Sequence, residues 1–299
     1  MFFSSEFWSA WSFPPVASIA LMATGLIYFS GWNLLRRLLP RHYPTWRLTA
    51  FVAGLASIWI AIASPLDAFD DVLLTAHMMQ HLLFMVIAPP LLLLGAPAIP
   101  LLRGLPKWIL RRALAPFLRS RVIRKMGRAI THPLLCWLTM AVAMIGWHIP
   151  AAYEWALRSS AWHEVEHSCF LITSTLFWFP VIQPWPSRAH WPRWTMPLYL
   201  LLGDVVNTVL SAFLAFSDRV FYPSYTNSQN AFGISPLGDQ AAAGAVMWTV
   251  GSFVFLGAAA VLMLRLLSGE HPSTAAAWKS AERATKSSMG RAEILKNLS

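Results

Sequence analysis

The chain has little charge and almost no cysteine, and each shortage closes off a class of protein. Only 12% of the 299 residues are Asp, Glu, Lys or Arg, where an ordinary soluble domain carries about a quarter. A water-soluble fold is therefore disfavoured. Two cysteines are too few for a disulfide framework and form no Cys-x-x-Cys metal or redox motif. Acids are scarcer than bases, 13 against 23, for a formal net charge of +10, a balance that suggests nucleic acid in a soluble chain. Residues 1–12 lack the positive region and cleavage site of a signal peptide and read as a short tail. No repeat and no separate soluble domain is visible.

What fills the chain instead is apolar: 57% hydrophobic residues, with 16 Trp and 12 Met. A bilayer span needs about 20 mostly apolar residues, with a range of about 17 to 25. Seven stretches qualify, near 14–35, 48–64, 72–95, 133–149, 163–183, 195–216 and 240–264. The second and fourth are at the short limit. Pro89 and Pro90 interrupt the third and should kink or end it. The fold class expected is all-α: a polytopic membrane protein with a seven-span domain over 1–268 and a basic, mobile cytoplasmic tail over 269–299.

Basic residues near span ends are retained in the cytoplasm. With the N-terminus outside and the C-terminus cytoplasmic, only Arg158 and Arg219 of the 23 Lys and Arg fall on the outer side. The basic loop 103–128 interleaves Arg and Lys with Leu, Ile, Trp108 and Phe117, which reads as amphipathic helix on anionic headgroups. The partner of this basic stretch is then membrane lipid and not nucleic acid. Trp32, Trp46, Trp147, Trp162 and Trp194 fall near span ends, as an aromatic belt predicts.

Metal-binding and ionisable side chains inside a membrane are costly and mark function by default. Four of the nine His fall at cytoplasmic ends or loops (His42, His132, His190 and His271). The other five fall at outer ends: His77 and His81 early in the third span, His148 closing the fourth, His163 and His167 opening the fifth. His77 and His81 are four apart, as are His163 and His167, so each pair shares one helix face with about 6 Å of rise. Together with His148 they offer more nitrogen ligands than one first-row metal needs. Glu164 and Glu166 flank the fifth-span pair and suit orientation of an imidazole. Asp239, at the outer start of the seventh span, is a further candidate ligand or partner.

Imidazole suits Zn, Cu, Fe or Ni, and thioethers select Cu(I). Below the His layer lie Met85, four after His81; Met144 and Met140, four and eight before His148; and Met247, eight after Asp239. These form a possible softer layer, although Met is also a routine filler of apolar gaps. Met79 and Cys169 project away from the neighbouring His pairs. Depth argues against a Cys136–Cys169 disulfide. In the sixth span Asp204, Asn207, Thr208 and Ser211 make a polar stripe, which suits either an ion route or interhelical hydrogen bonds. His163-Glu164-Val165-Glu166-His167 also matches H-E-x-x-H, in which two His bind zinc and the Glu is general base, but that reading leaves the second His pair unexplained.

Four stretches resemble the multi-pass CtaG family of cytochrome c oxidase assembly factors. They are His77-Met78-Met79-Gln80-His81-Leu82-Leu83, running into Ala88-Pro89-Pro90-Leu91 and Gly95-Ala96-Pro97; Trp147-His148-Ile149-Pro150 with Tyr153 and Ala156-Leu157; His163 with Glu166-His167, Phe170 and Phe177-Trp178; and Asp239-Gln240 with Ala243-Gly244 and Met247-Trp248. The resemblance implies a non-enzymatic factor that matures haem-copper oxidases, handling copper on the extracytoplasmic side of the cell inner membrane. Its polar positions fall on His77, His81, His148, His163, Glu166, His167 and Asp239, and it favours Glu166 over Glu164. Oxidase subunits or a copper chaperone are the partners it implies, and a homo-oligomer is left open. An intramembrane zinc metalloprotease at 163–167, a copper transporter built on the Asp204 stripe, and a haem site with opposed His are the alternatives.

Overall fold

Proline starts helices in this chain. A missing N–H costs least in the first turn, and five helices of the computed structural model begin on Pro15, Pro65, Pro133, Pro150 and Pro236. The structure describes residues 10–116, 120–187, 191–226 and 233–268, and among these it is all helical without a strand. The expected tail 269–299 and residues 117–119 of the basic loop lie outside the described residues.

The long helices are α1 (Pro15–Leu38) and α2 (Thr45–Ala63), which α3 (Pro65–Phe69) extends. The third span is built of α4 (Leu74–Leu82), a π-helical turn (Leu83–Ile87) and α5 (Ala88–Leu94). After it come α6 (Ala98–Gly104), the single turn α7 (Lys107–Ile109) with a second π-helical turn (Leu110–Leu114), and α8 (Arg121–Ile130). The remainder is α9 (Pro133–His148), α10 (Pro150–Leu157), α11 (Ser160–Ile182), α12 (Thr195–Ala215) and α13 (Pro236–Leu267).

Six of these units are long and apolar enough to cross a membrane, and a seventh results only if α8 and α9, bent by 60° at their junction, are taken as one span. The expected fourth span is the exception because α9 alone has 16 residues, about 24 Å at the helical rise, against a hydrocarbon core of about 30 Å. The second span is longer than expected, Thr45–Phe69. In α8 nothing is buried: Val122, Ile123, Met126 and Ile130 are exposed along with its Arg and Lys.

Proline also shapes the third span. Pro89 has no N–H for the Met85 carbonyl four residues back. The preceding residues widen into the π-helical turn, where the Ala88 N–H bonds to the Leu83 carbonyl. The indole of Trp178 donates to the Met85 carbonyl at 3.0 Å, and Trp178 stacks on Phe255. The kink expected at Pro89 and Pro90 is thus absorbed one turn earlier, and α11 and α13 are tied to it.

Lipid is as apolar as leucine, so helices in a membrane associate by close packing and hydrogen bonds. Two packed groups result. One surrounds α4, α9, α11, α12 and α13, with Met78, Met140, Phe170, Phe177 and Leu200 fully enclosed. The other, around Tyr28, Trp32, Tyr43 and Phe51, joins α1, α2 and α6, and the Tyr28 hydroxyl donates to the Gly95 carbonyl at 2.7 Å. Trp32 therefore belongs to a core and not to an aromatic belt, whereas Trp46, Trp162 and Trp194 are exposed. Backbones touch where α1 meets α6: a Cβ at Gly31 would collide with the Pro100 carbonyl, and one at Gly104 with that of Ile27. Gly31→Leu should lower stability by about 1–3 kcal/mol through overpacking. Gly257→Leu, with open space around Gly257, should not; thermal unfolding of both variants in detergent checks the difference.

Candidate metal centre

The site begins with the way α4 is held. Its first N–H groups have no partner within the helix, and the carboxylate of Asp239, in the first turn of α13, supplies one. Oδ2 accepts from Leu74 N at 2.6 Å, and Oδ1 accepts from Thr75 N at 3.2 Å and from the Thr75 hydroxyl at 2.6 Å. A negative charge at a helix N-terminus is stabilising. Asp239, a candidate ligand by sequence, is therefore occupied as the cap of a neighbouring helix and is not among the grouped donors.

Pinned this way, α4 carries His77 and His81 into the bundle, where both are fully buried. Helix α11 presents His163, Glu166 and His167 to them. Glu166, also fully buried, lies between the α4 pair, with His77 Nε2 at 3.8 Å from Oε2 and His81 Nε2 at 3.6 Å from Oε1. Ring centres are 4.3 Å apart for His77 and His81, 4.2 Å for His163 and His167, and 5.0 Å for His77 and His163. Two sets of donor atoms, His77–His163–His167 and His77–His81–Glu166, each lie within 4.8 Å of one another.

His148, closing α9, stands at the edge of this group, its ring 5.9 Å from that of His81. Its Nδ1 lies 2.7 Å from the Met144 carbonyl. A carbonyl only accepts, so Nδ1 carries the proton and a neutral ring keeps its lone pair on Nε2. That fixing of tautomer is the usual arrangement for a metal-binding imidazole. Nε2 of His148, His163 and His167, both ring nitrogens of His77 and His81, and both oxygens of Glu166 are buried without a hydrogen-bond partner. So many unsatisfied polar atoms in one place are costly, and a cation bound through one nitrogen of each ring of a donor set would satisfy part of them.

Glu164 behaves differently. It is exposed and lines an outward groove with Val165 and Ser168, so the Glu at the general-base position of H-E-x-x-H does not face the imidazoles. Met79 is exposed, Cys136 and Cys169 are unbridged, and Met85, Met144 and Met247 are buried beside His81 around a small cavity. The Asp204 stripe is covered by α13. The Ser252 hydroxyl donates to Asp204 at 2.7 Å, Asn207 donates to the Met247 carbonyl at 3.4 Å, Gly251 and Gly244 seat against Asn207 and Ser211, and Thr208 is half-buried.

Sequence reasoning passed over the wall of the site. Asp70, in the turn after α3, places Oδ2 3.8 Å from His163 Nε2. The Tyr225 hydroxyl donates to the Asp70 carbonyl at 2.7 Å and lies 2.8 Å from that of Tyr153, whose ring faces His77 at 5.0 Å. The Tyr222 hydroxyl donates to the His148 carbonyl at 3.0 Å. Gln80 donates to the Ala61 carbonyl at 2.9 Å. The available signal was Asp67, Asp70 and Asp71 together at the C-terminal end of the second span.

Fold and site define a multi-helix membrane protein with a buried imidazole and carboxylate group at one end of its bundle. The chain belongs to the cytochrome c oxidase caa3 assembly factor family, Caa3_CtaG, whose model matches residues 26–268. It is similar to uncharacterized proteins of Mycobacterium bovis and Mycobacterium tuberculosis, each 24% identical over 256 residues, covering 81% of this chain and 37% of each relative. A third, from Mycobacterium leprae, is 22% identical over 266 residues, covering 82% of this chain and 37% of the relative. The chain thus spans little more than a third of the length of the curated relatives it matches. No solved structure matches it.

Burial, with the charges of Asp71 and Asp67, pushes the Asp70 carboxyl from 3.8 up to about 7. The folded state then binds more protons at Asp70 than the unfolded state does between those values. This contribution is fully present below 3.8 and is lost as pH rises through about 7. In chelator-treated protein, the unfolding temperature of the wild type should fall over this window relative to Asp70→Asn; parallel pH profiles would contradict it.

Proposed function

We propose that the protein is an assembly factor for cytochrome c oxidase that takes copper as cargo. His77, His81, His148, His163 and His167 would bind the ion, Glu166 would balance its charge, and an oxidase subunit or a copper chaperone would receive it. In this reading the protein is not an enzyme. The chain sits in the cell inner membrane as seven spans, with α9 as the short fourth and α8 on the cytoplasmic surface, the N-terminus outside and the histidine group on the extracytoplasmic side. The family supports the oxidase, and the distribution of Lys and Arg supports the orientation.

The observation that carries the metal reading is the set of buried, unpartnered imidazole nitrogens around Glu166. Neutral imidazole suits late first-row metals, among which copper stands highest in affinity, whereas Mg and Ca take oxygen ligands. The rival readings draw less support. Glu164 is exposed, against a zinc protease using it as base. The ring centre of His77 lies within 5.8 Å of those of His81, His163 and His167, and that of His167 within 5.4 Å of those of His81 and His163, which leaves no room for a porphyrin between these pairs. Helix α13 covers the Asp204 stripe, against an open ion route there.

Elemental analysis of the purified, copper-loaded protein tests the reading. Wild type and Glu164→Gln should retain copper equally, and His77→Ala with His167→Ala should lower copper affinity at least about tenfold, the usual scale for a disturbed metal site. Wild type without copper, or a double variant with unchanged copper, would overturn it.

A further inference from the structure

Beneath the histidine group lies a second cluster of donors of another chemical kind. A partly enclosed cavity of about 10 Å³ is bordered by Met78, His81, Met85, Met144 and Met247, with Asn207 on one side. That is room for one water-sized particle. Methionine is the side chain best able to close an irregular gap, yet four of them, from three spans, surround this void. All four are at most 7% exposed. Met85 stands in the middle of the π-helical turn Leu83–Ile87, a rare geometry that recurs at functional sites. His81 belongs to both groups: its Nε2 is 3.6 Å from Glu166, its ring borders the cavity, and neither of its nitrogens has a hydrogen-bond partner.

The chemistry of this lining is selective. Thioethers are neutral, soft ligands that favour Cu(I), whereas hard divalent cations need oxygen donors and keep their waters. The cavity has no carboxylate on its border and no space for a hydrated ion. We propose that it is a second metal site, selective for a monovalent soft ion, copper(I) or its analogue silver(I), held by the thioethers of Met78, Met85, Met144 and Met247 and by a ring nitrogen of His81. As a binding site it stands independently of the copper reading of the histidine group; as the next stop for the same cargo it rests on that reading. His81 would be the shared ligand between the two.

Silver(I) and zinc(II) as separate probes distinguish the sites. Silver also takes thiols, so the full-length protein is used with Cys136→Ala and Cys169→Ala as background. The background should bind one equivalent of silver(I) that Met85→Leu with Met247→Leu binds at least tenfold more weakly, while zinc(II) binding to the histidine group is unchanged. His77→Ala with His163→Ala should show the reverse pattern. A methionine double variant that keeps silver(I) at full affinity overturns the proposal. Silver(I) loss in that variant, with no metal bound by the histidine group, upholds this site and removes the other reading. If the double variant does not fold, silver-edge X-ray absorption of the background protein decides: a shell of sulfur scatterers supports the site, and nitrogen scatterers alone overturn it.

Discussion

Glu166 lies fully buried between two imidazoles, 3.8 Å and 3.6 Å from their nearest nitrogens, with no hydrogen bond to either of its oxygens. In a low-dielectric interior such a group is expensive, and so are the unpartnered rings around it. An apolar substitute would pack with less cost. The arrangement makes physical sense if a cation completes it, since an ion among His77, His81 and Glu166 would balance the carboxylate and take up a lone pair from each ring. The helices around it hold in place a layer that is unfavourable when empty.

Each supporting feature fixes one donor helix. Asp239 caps α4 and ties it to α13, setting the depth of His77 and His81. The π-helical turn and Trp178 absorb the proline pair below them. Tyr222 and the Met144 carbonyl hold opposite ends of His148. Tyr153 and Tyr225 close the side toward Asp70. None of these groups needs to touch a metal, yet a change in any of them would shift an imidazole nitrogen.

Much of this was legible in the sequence because it is local. Spacings of four place His77 with His81 and His163 with His167 on one helix face, and the basic residues assign those helix ends to a common side. Turning α11 so that Glu166 and not Glu164 faces inward took the family pattern, since both acids flank the His pair on the wheel. What was not legible is tertiary. Asp239 reads as a ligand or a partner of one, and a wheel cannot show that its carboxylate meets the start of another helix. Asp70 sits in a turn, where no period marks it. The π-helical turn is the response of a packed helix to Pro89 and Pro90, where the sequence alone predicts a kink.

The two proposed sites share His81 and would run along the axis of the bundle from imidazole and carboxylate toward thioether. The central claim is the upper layer. Copper-edge X-ray absorption on the copper-loaded, full-length protein addresses it most directly, in either oxidation state. The account predicts the multiple-scattering pattern of several imidazoles around one copper, weakened in His163→Ala. A bound copper with no imidazole in its shell would contradict it.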